Sequence, residues 1–199
     1  MARKGPVTTD TTTIALGLAQ IRVGDSATNI GDIQPALSSD DSIGALANTT
    51  WRGPTEWYKL ESGFPLIEDF TTPIREAAQL ECAFKEITPA NVALAYGHDP
   101  NAEPYASMTV HSGEVPLGGR TAPDYVRMEA RYTYPSGTDY MDIIFPRAQV
   151  SADPEMALAE TDAVAMTLIF ESKNASSDVT GGNAVWDNKP LGRIFWHSD

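Results

Sequence analysis

The sequence has little cysteine, little histidine and no long hydrophobic run, and each shortage excludes a class of protein. A single cysteine, Cys82, forms no disulfide within one chain, which excludes a secreted scaffold held together by disulfides. The three histidines, His98, His111 and His197, lack the spacing of a zinc-binding helix, and no Cys-x-x-Cys pair accompanies them. No apolar run approaches the ~20 residues that span a bilayer. We therefore expect no metal site, no cofactor and no membrane contact.

Positive charge is also scarce. The chain has 14 Lys and Arg against 27 Asp and Glu, a net charge of −13. Phosphate binding needs a basic surface, so specific nucleic-acid binding is not expected. No apolar segment follows the basic residues near the start, so we expect no secretory signal and folding in a reducing cytoplasm. The length of 199 residues and the hydrophobic share of 42% suit one domain with a sizeable core.

Signatures of catalysis are missing as well. The sequence contains no Gly-x-Ser-x-Gly elbow, and the Gly-rich stretch at 116–121 lacks the Lys-Ser/Thr ending of a phosphate loop. Neighbouring carboxylates such as Glu68 and Asp69 carry little information in a chain with 27 of them. We predict no catalytic residue, and a small hydrolase that uses a carboxylate pair is the most distant alternative.

What the sequence does contain is a pattern of short β-strands separated by turns, with one short helix. Alternating residues followed by Gly63 and Pro65 predict a hairpin over 56–70. Thr88, Pro89 and Gly97 stand at the N-cap, first-turn and C′ positions of one short helix over 89–96. Further strands are predicted at 11–23, 75–87, 106–111, 125–134, 139–149, 163–171 and 191–197, the strand at 163–171 being central because both of its faces are apolar.

A long polar stretch at 24–55 interrupts this pattern. Loops this long are uncommon in compact domains unless they are functional or disordered. Two interpretations stay open: the loop becomes ordered against another subunit, or it packs on its own domain. The stretch carries apolar residues that disordered segments rarely have, namely Ile30, Ile33, Leu37, Ile43, Leu46 and Trp51.

The order of features in "EWYKLESGFPLIEDFTTPIREAAQLECAFKEITPANVALAYG", residues 56–97, resembles the tail tube (major tail) proteins of tailed bacteriophages. The later "AVAMTLIFESK" strand and the C-terminal "GRIFWHSD" fit the same plan. The resemblance implies a mainly β fold of two packed antiparallel sheets, a sandwich or half-barrel, with one short flanking α-helix. It implies a single tail-tube domain over 11–199, and residues 1–10, which precede it, are predicted to be a flexible arm.

The same resemblance implies the function. Six copies would form a ring, and stacked rings would form a tube in the virion tail, assembled in the bacterial host cytoplasm. The expected partners are other copies of the chain and the tape measure, tail terminator and tail tip or baseplate proteins. Genomic DNA would pass through the lumen without specific binding.

The expected contacts between subunits lie in the long loop and the hairpin. A β-sandwich binding module, either a capsid decoration or a carbohydrate-binding protein, is the first alternative. Under the assembly interpretation, removing about residues 26–50 should leave a folded domain that forms no tubes. The predicted contact residues are Ile30, Ile33, Leu37, Ile43, Leu46, Trp51, Trp57 and Phe64.

Overall fold

Nine strands carry the fold in the part of the chain that the computed structural model describes, which is residues 19–64, 67–118, 122–135, 137–151, 153–156 and 164–197. The predicted arm at 1–10 and most of the predicted strand at 11–23 lie outside these residues. Among them, no helix is both long and apolar enough to cross a membrane. The strands are β1 (Gln20–Asp25), β2 (Leu46–Arg52), β3 (Thr55–Ser62), β4 (Ile67–Glu76), β5 (Gln79–Phe84), β6 (Val126–Thr133), β7 (Tyr140–Val150), β8 (Met166–Ser172) and β9 (Arg193–His197).

These strands form two antiparallel sheets of unequal size, which confirms the predicted mainly β, two-sheet fold. The larger sheet has seven strands in the order β1-β6-β7-β8-β5-β2, with β9 added to β7. The smaller sheet is the hairpin β3–β4. The strand predicted at 163–171 is central, because β8 pairs with β5 on one side and β7 on the other. The core lies within the larger sheet, and the hairpin takes no part in it.

The larger sheet curls so far that its two ends meet. The backbone N–H of Ile43, just before β2, donates to the carbonyl of Ile21 in β1 at 3.0 Å. Arg22 and Ser42 form a bridge at the same place. Side chains from both halves of the sheet therefore face one core. Each large apolar side chain buried there contributes roughly 1.5–3 kcal/mol.

One short helix, α2 (Pro89–Ala95), covers part of the core as predicted. Its N-cap, Thr88, accepts a hydrogen bond from the N–H of Asn91, and Gly97 ends it with a φ of +85°. Leu94 is fully buried in the core. The Asn91 side-chain amide donates to the carbonyl of Ile43 at 3.0 Å, which fastens the helix to the segment that closes the sheet.

Two predictions about local structure are wrong. Residues 106–111 form no strand: a 3₁₀ turn spans Tyr105–Ser107, and Thr109 pairs only with Ser112. The alternation there is short, and Val110 is exposed rather than packed against a sheet. Residues 24–55 are not one loop, because they include a single helical turn, α1 (Ser26–Asn29), and all of β2.

Candidate assembly surface

The hairpin β3–β4 projects from the domain. Its base is closed by the N–H of Ala77, which donates to the carbonyl of Pro54 at 3.0 Å. Only Thr55 and Thr72 are partly covered, and the other residues of the two strands are exposed. A two-stranded hairpin alone in water is marginally stable at best. Within the described part of its own chain, the hairpin therefore has little burial to stabilise it.

The hairpin has one apolar side. Leu60 pairs with Phe70, and Ser62 pairs with Ile67. Because directly paired residues share a face and alternate residues of a strand do too, Tyr58, Leu60, Ile67 and Phe70 lie together. We call these four the apolar hairpin face. Asp69 and Ile74 are bulge residues of β4 that have no partner in β3, and the pairing of the two strands resumes on either side of each.

The opposite side is charged. Lys59 Nζ lies 2.7 Å from Glu68 Oε2, and Glu61 belongs to the same face. Their hydrogen bond raises the pKa of Lys59 and is the main reason that the pKa of Glu68 is lowered. Both groups are fully exposed, so this pair adds little to stability. Trp57, opposite Pro73, is the one large aromatic residue on this charged hairpin face.

The exposed apolar side chains of the hairpin form one patch. The side chains of the apolar hairpin face are 46–63% exposed. At 150–250 Å² for a large side chain, the four together leave roughly 400 Å² of apolar surface in water. Contiguous apolar patches of this size are often functional. Phe64, at the tip, is completely exposed.

The predicted contact residues fall into two groups. Trp51, Trp57 and Phe64 are exposed on or beside the hairpin. The other five lie in the chain's own packing, which corrects the expectation that the apolar residues of the long loop await another subunit. Leu37, Ile43 and Leu46 are buried, and Ile30 and Ile33 pack against a small cluster around Trp186.

A buried ion pair explains why residues 29–37 are ordered without a partner. Arg127 and Glu129, on the outer face of β6, are 0% and 1% exposed, and Arg127 Nε lies 2.7 Å from Glu129 Oε1. We call them the Arg127–Glu129 clamp. Its remaining hydrogen bonds go to the backbone of the loop: Arg127 donates to the carbonyls of Asn29, Asp32 and Gln34, and Glu129 accepts from the N–H groups of Ala36 and Leu37.

Sequence reasoning missed this clamp. Charged residues at alternate positions of a strand are normally taken for a solvated face. The opposite signs of Arg127 and Glu129, two residues apart beside a long loop, were the available signal. Trp186 also holds this loop: its indole N–H donates to the carbonyl of Ile30 at 2.7 Å. Removing residues 26–50 would therefore delete most of β2 and the backbone groups that the clamp binds, so that truncation should unfold the domain.

Three further features of the described residues concern metal binding and reactivity. No group of three or more His, Cys, Asp or Glu side chains there is placed to hold a metal ion. Cys82 is fully buried, and burial, with a smaller effect of Glu81, raises the pKa of its thiol to about 12. Glu68 and Asp69 stand exposed on the hairpin rather than in a cleft.

Comparison with known proteins adds no family assignment: no protein-family model matches the sequence, and no curated protein matches it.

Proposed function

We propose that this chain is a structural protein of a bacteriophage tail, which self-assembles into hexameric rings that stack into the tail tube. The observation that carries the proposal is the projecting hairpin with its exposed apolar face. Such a surface is costly on a free monomer, and repeated contact between copies removes it from water. The resemblance of residues 56–97 to tail tube proteins agrees with this use of the hairpin.

The open edges of the larger sheet support the same proposal. Among the strands described, β2 pairs only with β5 and β9 pairs only with β7. Unpaired edges invite pairing with other chains, and a ring turns this liability into a contact. A heterologous contact that closes by rotation gives a ring, and stacking of rings gives a tube.

The proposed conduit carries genomic DNA and binds it weakly. The net charge of −13 disfavours adhesion of phosphate to the wall. The chain would act in the virion tail, after assembly in the bacterial host cytoplasm. Its partners would be further copies of itself and the tape measure, tail terminator and tail tip or baseplate proteins. No enzymatic step belongs to this role.

Negative-stain electron microscopy across a concentration series tests the proposal. Rings or hollow tubes of uniform diameter are expected as the concentration rises. Small particles of one size at every concentration, also after addition of a tail-tip extract as initiator, would contradict it. In that case the β-sandwich binding module becomes the better explanation, and glycan-array binding that is lost on replacement of Trp57 would support it.

A further inference from the structure

A cavity lies beside β9, where the larger sheet splits. Strand β7 pairs with β9 along Tyr140–Ile144 and with β8 along Ala148–Val150, so β8 and β9 diverge from each other. The opening holds a cavity of about 210 Å³. We call it the β9 cavity. Its wall is mainly apolar and includes Trp51, Ala78, Ile143, Phe145, Arg193 and Ile194.

The β9 cavity has an unsatisfied donor and an unpaired strand at its edge. Of the described residues that line it, Arg193 is the one with a charged side chain. Within the described part of the chain, Nε of Arg193 is buried and has no hydrogen-bond partner, whereas its NH2 group donates to Gln34. Buried donors are normally paired. Strand β9 also keeps one edge free of any strand described. Both features favour an occupant that brings acceptors.

We propose that the apolar hairpin face of one copy docks in the β9 cavity of a second copy, a partner choice that rests on the proposed function. A cavity of about 150 Å³ holds one benzene ring, so the β9 cavity has room for one aromatic side chain. Phe70 and Tyr58 supply such rings on the apolar hairpin face. Glu56, two residues before Tyr58 on β3, lies on the same side of the hairpin, and its carboxylate complements Arg193.

The hairpin is placed so that it reaches another copy rather than its own cavity. Trp51 and Ala78, which line the β9 cavity, lie beside the base of the hairpin. Leu60 lies five residues up β3 from Thr55, roughly 17 Å along the strand. Each copy therefore carries one projecting face and one cavity at separate places. Contacts of this kind are heterologous and continue from copy to copy.

Cysteine crosslinking tests the docking directly. A variant with Phe70→Cys and Ala78→Cys, treated with a short bismaleimide, should give a ladder of covalent oligomers on a denaturing gel. The control variant carries Thr71→Cys in place of Phe70→Cys, together with Ala78→Cys. Thr71 is the next residue along β4 and lies on the charged hairpin face. The buried thiol of Cys82 gives little background. Equal ladders from both variants, or none from either, would overturn the inference.

A second pair of variants keeps the test independent of the introduced cysteines. Leu60→Ser should weaken association roughly 10- to 100-fold, whereas Lys59→Ser, on the opposite face, should leave it within about 3-fold. Sedimentation velocity measures both, and thermal melting checks that each variant is folded. Equal weakening by both variants would count against the docking.

The outcomes separate this inference from the proposed function. Tubes from the unmodified chain without a specific ladder would leave the tail-tube proposal standing and refute the docking. A specific ladder from a chain that forms only short oligomers would support the docking and refute the tube.

Discussion

The Arg127–Glu129 clamp makes a quantitative prediction about stability. Replacing Glu129→Leu leaves the guanidinium of Arg127 fully buried without its counter-ion. It also removes the acceptor of the N–H groups of Ala36 and Leu37. Breaking one side of a buried pair typically costs about 3–5 kcal/mol. Since a domain is stable by only about 5–15 kcal/mol, this variant should lose a large part of its free energy of unfolding.

Urea unfolding, followed by tryptophan fluorescence at sub-micromolar concentration, measures this loss. Thermal melting should show a drop of about 6–20 °C, from 2–4 °C per kcal/mol for a chain of this size. The matched control is Glu81→Leu, which removes the partner of Arg52 in a pair that is 53% and 31% exposed. Surface pairs contribute about 0–1 kcal/mol, so this variant should be nearly unchanged.

Hydrogen exchange locates the effect. The amides of Ala36 and Leu37 should be protected in the unmodified chain and exchange faster in the Glu129→Leu variant, while the β-ladder of the core keeps its protection. If Glu129→Leu costs no more than Glu81→Leu, or if the two amides are unprotected from the start, the clamp does not hold residues 29–37.

Three further predictions concern single sites. The thiol of Cys82 should stay unreactive towards a disulfide reagent at pH 8 until the chain unfolds, because it is buried and its pKa is raised to about 12. Thr88→Ala should lower the free energy of unfolding by about 1 kcal/mol in urea titrations, through loss of the helix cap to Asn91. The hydrogen bond from Lys173 lowers the pKa of Glu171 in the folded chain. The stabilisation from this pair is therefore complete above the unfolded pKa of Glu171 and is lost as the pH falls through the folded pKa. An NMR titration should find that Lys173→Met raises the pKa of Glu171.

The sequence predicts best where a local rule and the tertiary fold agree. The helix that begins after Thr88 and ends before Gly97 follows capping chemistry that acts within a few residues. The hairpin turn at Gly63 follows from its positive φ, +85°, which glycine adopts without strain. The strand β8 is central in the sheet, as predicted, but only one of its faces is buried: Thr167 on the other face is exposed, and Ile169 and Glu171 are half-buried.

The predictions fail where contacts between residues far apart in the sequence determine the local structure or the burial. The strand β2 forms in a polar stretch because β5 supplies its backbone hydrogen-bond partners. These partners lie about 30 residues further along the chain, so a local pattern does not show them. Ile43 is buried because the sheet curls until its two ends meet, and Leu37 is buried because the Arg127–Glu129 clamp holds its loop against β6. No local pattern predicts either. The charged residues Arg127 and Glu129 lie inside because a loop almost 100 residues earlier covers them.

The candidate site was predicted in outline only. The hairpin follows from the alternation around Gly63 and Pro65, and Phe64 at its tip is among the predicted contact residues. Its division into the apolar hairpin face and the charged hairpin face depends on the bulges at Asp69 and Ile74, which shift the alternation of β4. Periodicity alone would therefore assign Phe70 and Ile67 to opposite faces.

Excision of the hairpin tests the central claim most directly. Because the N–H of Ala77 donates to the carbonyl of Pro54, residues 55–76 are replaceable by a two-glycine link without moving the core. Sedimentation velocity of the excised and the complete chains, side by side over a concentration series, reads out assembly. We expect the excised chain to stay monomeric, with its melting temperature within a few degrees, while the complete chain forms large assemblies. Equal assembly of both chains would show that the hairpin is not the assembly surface.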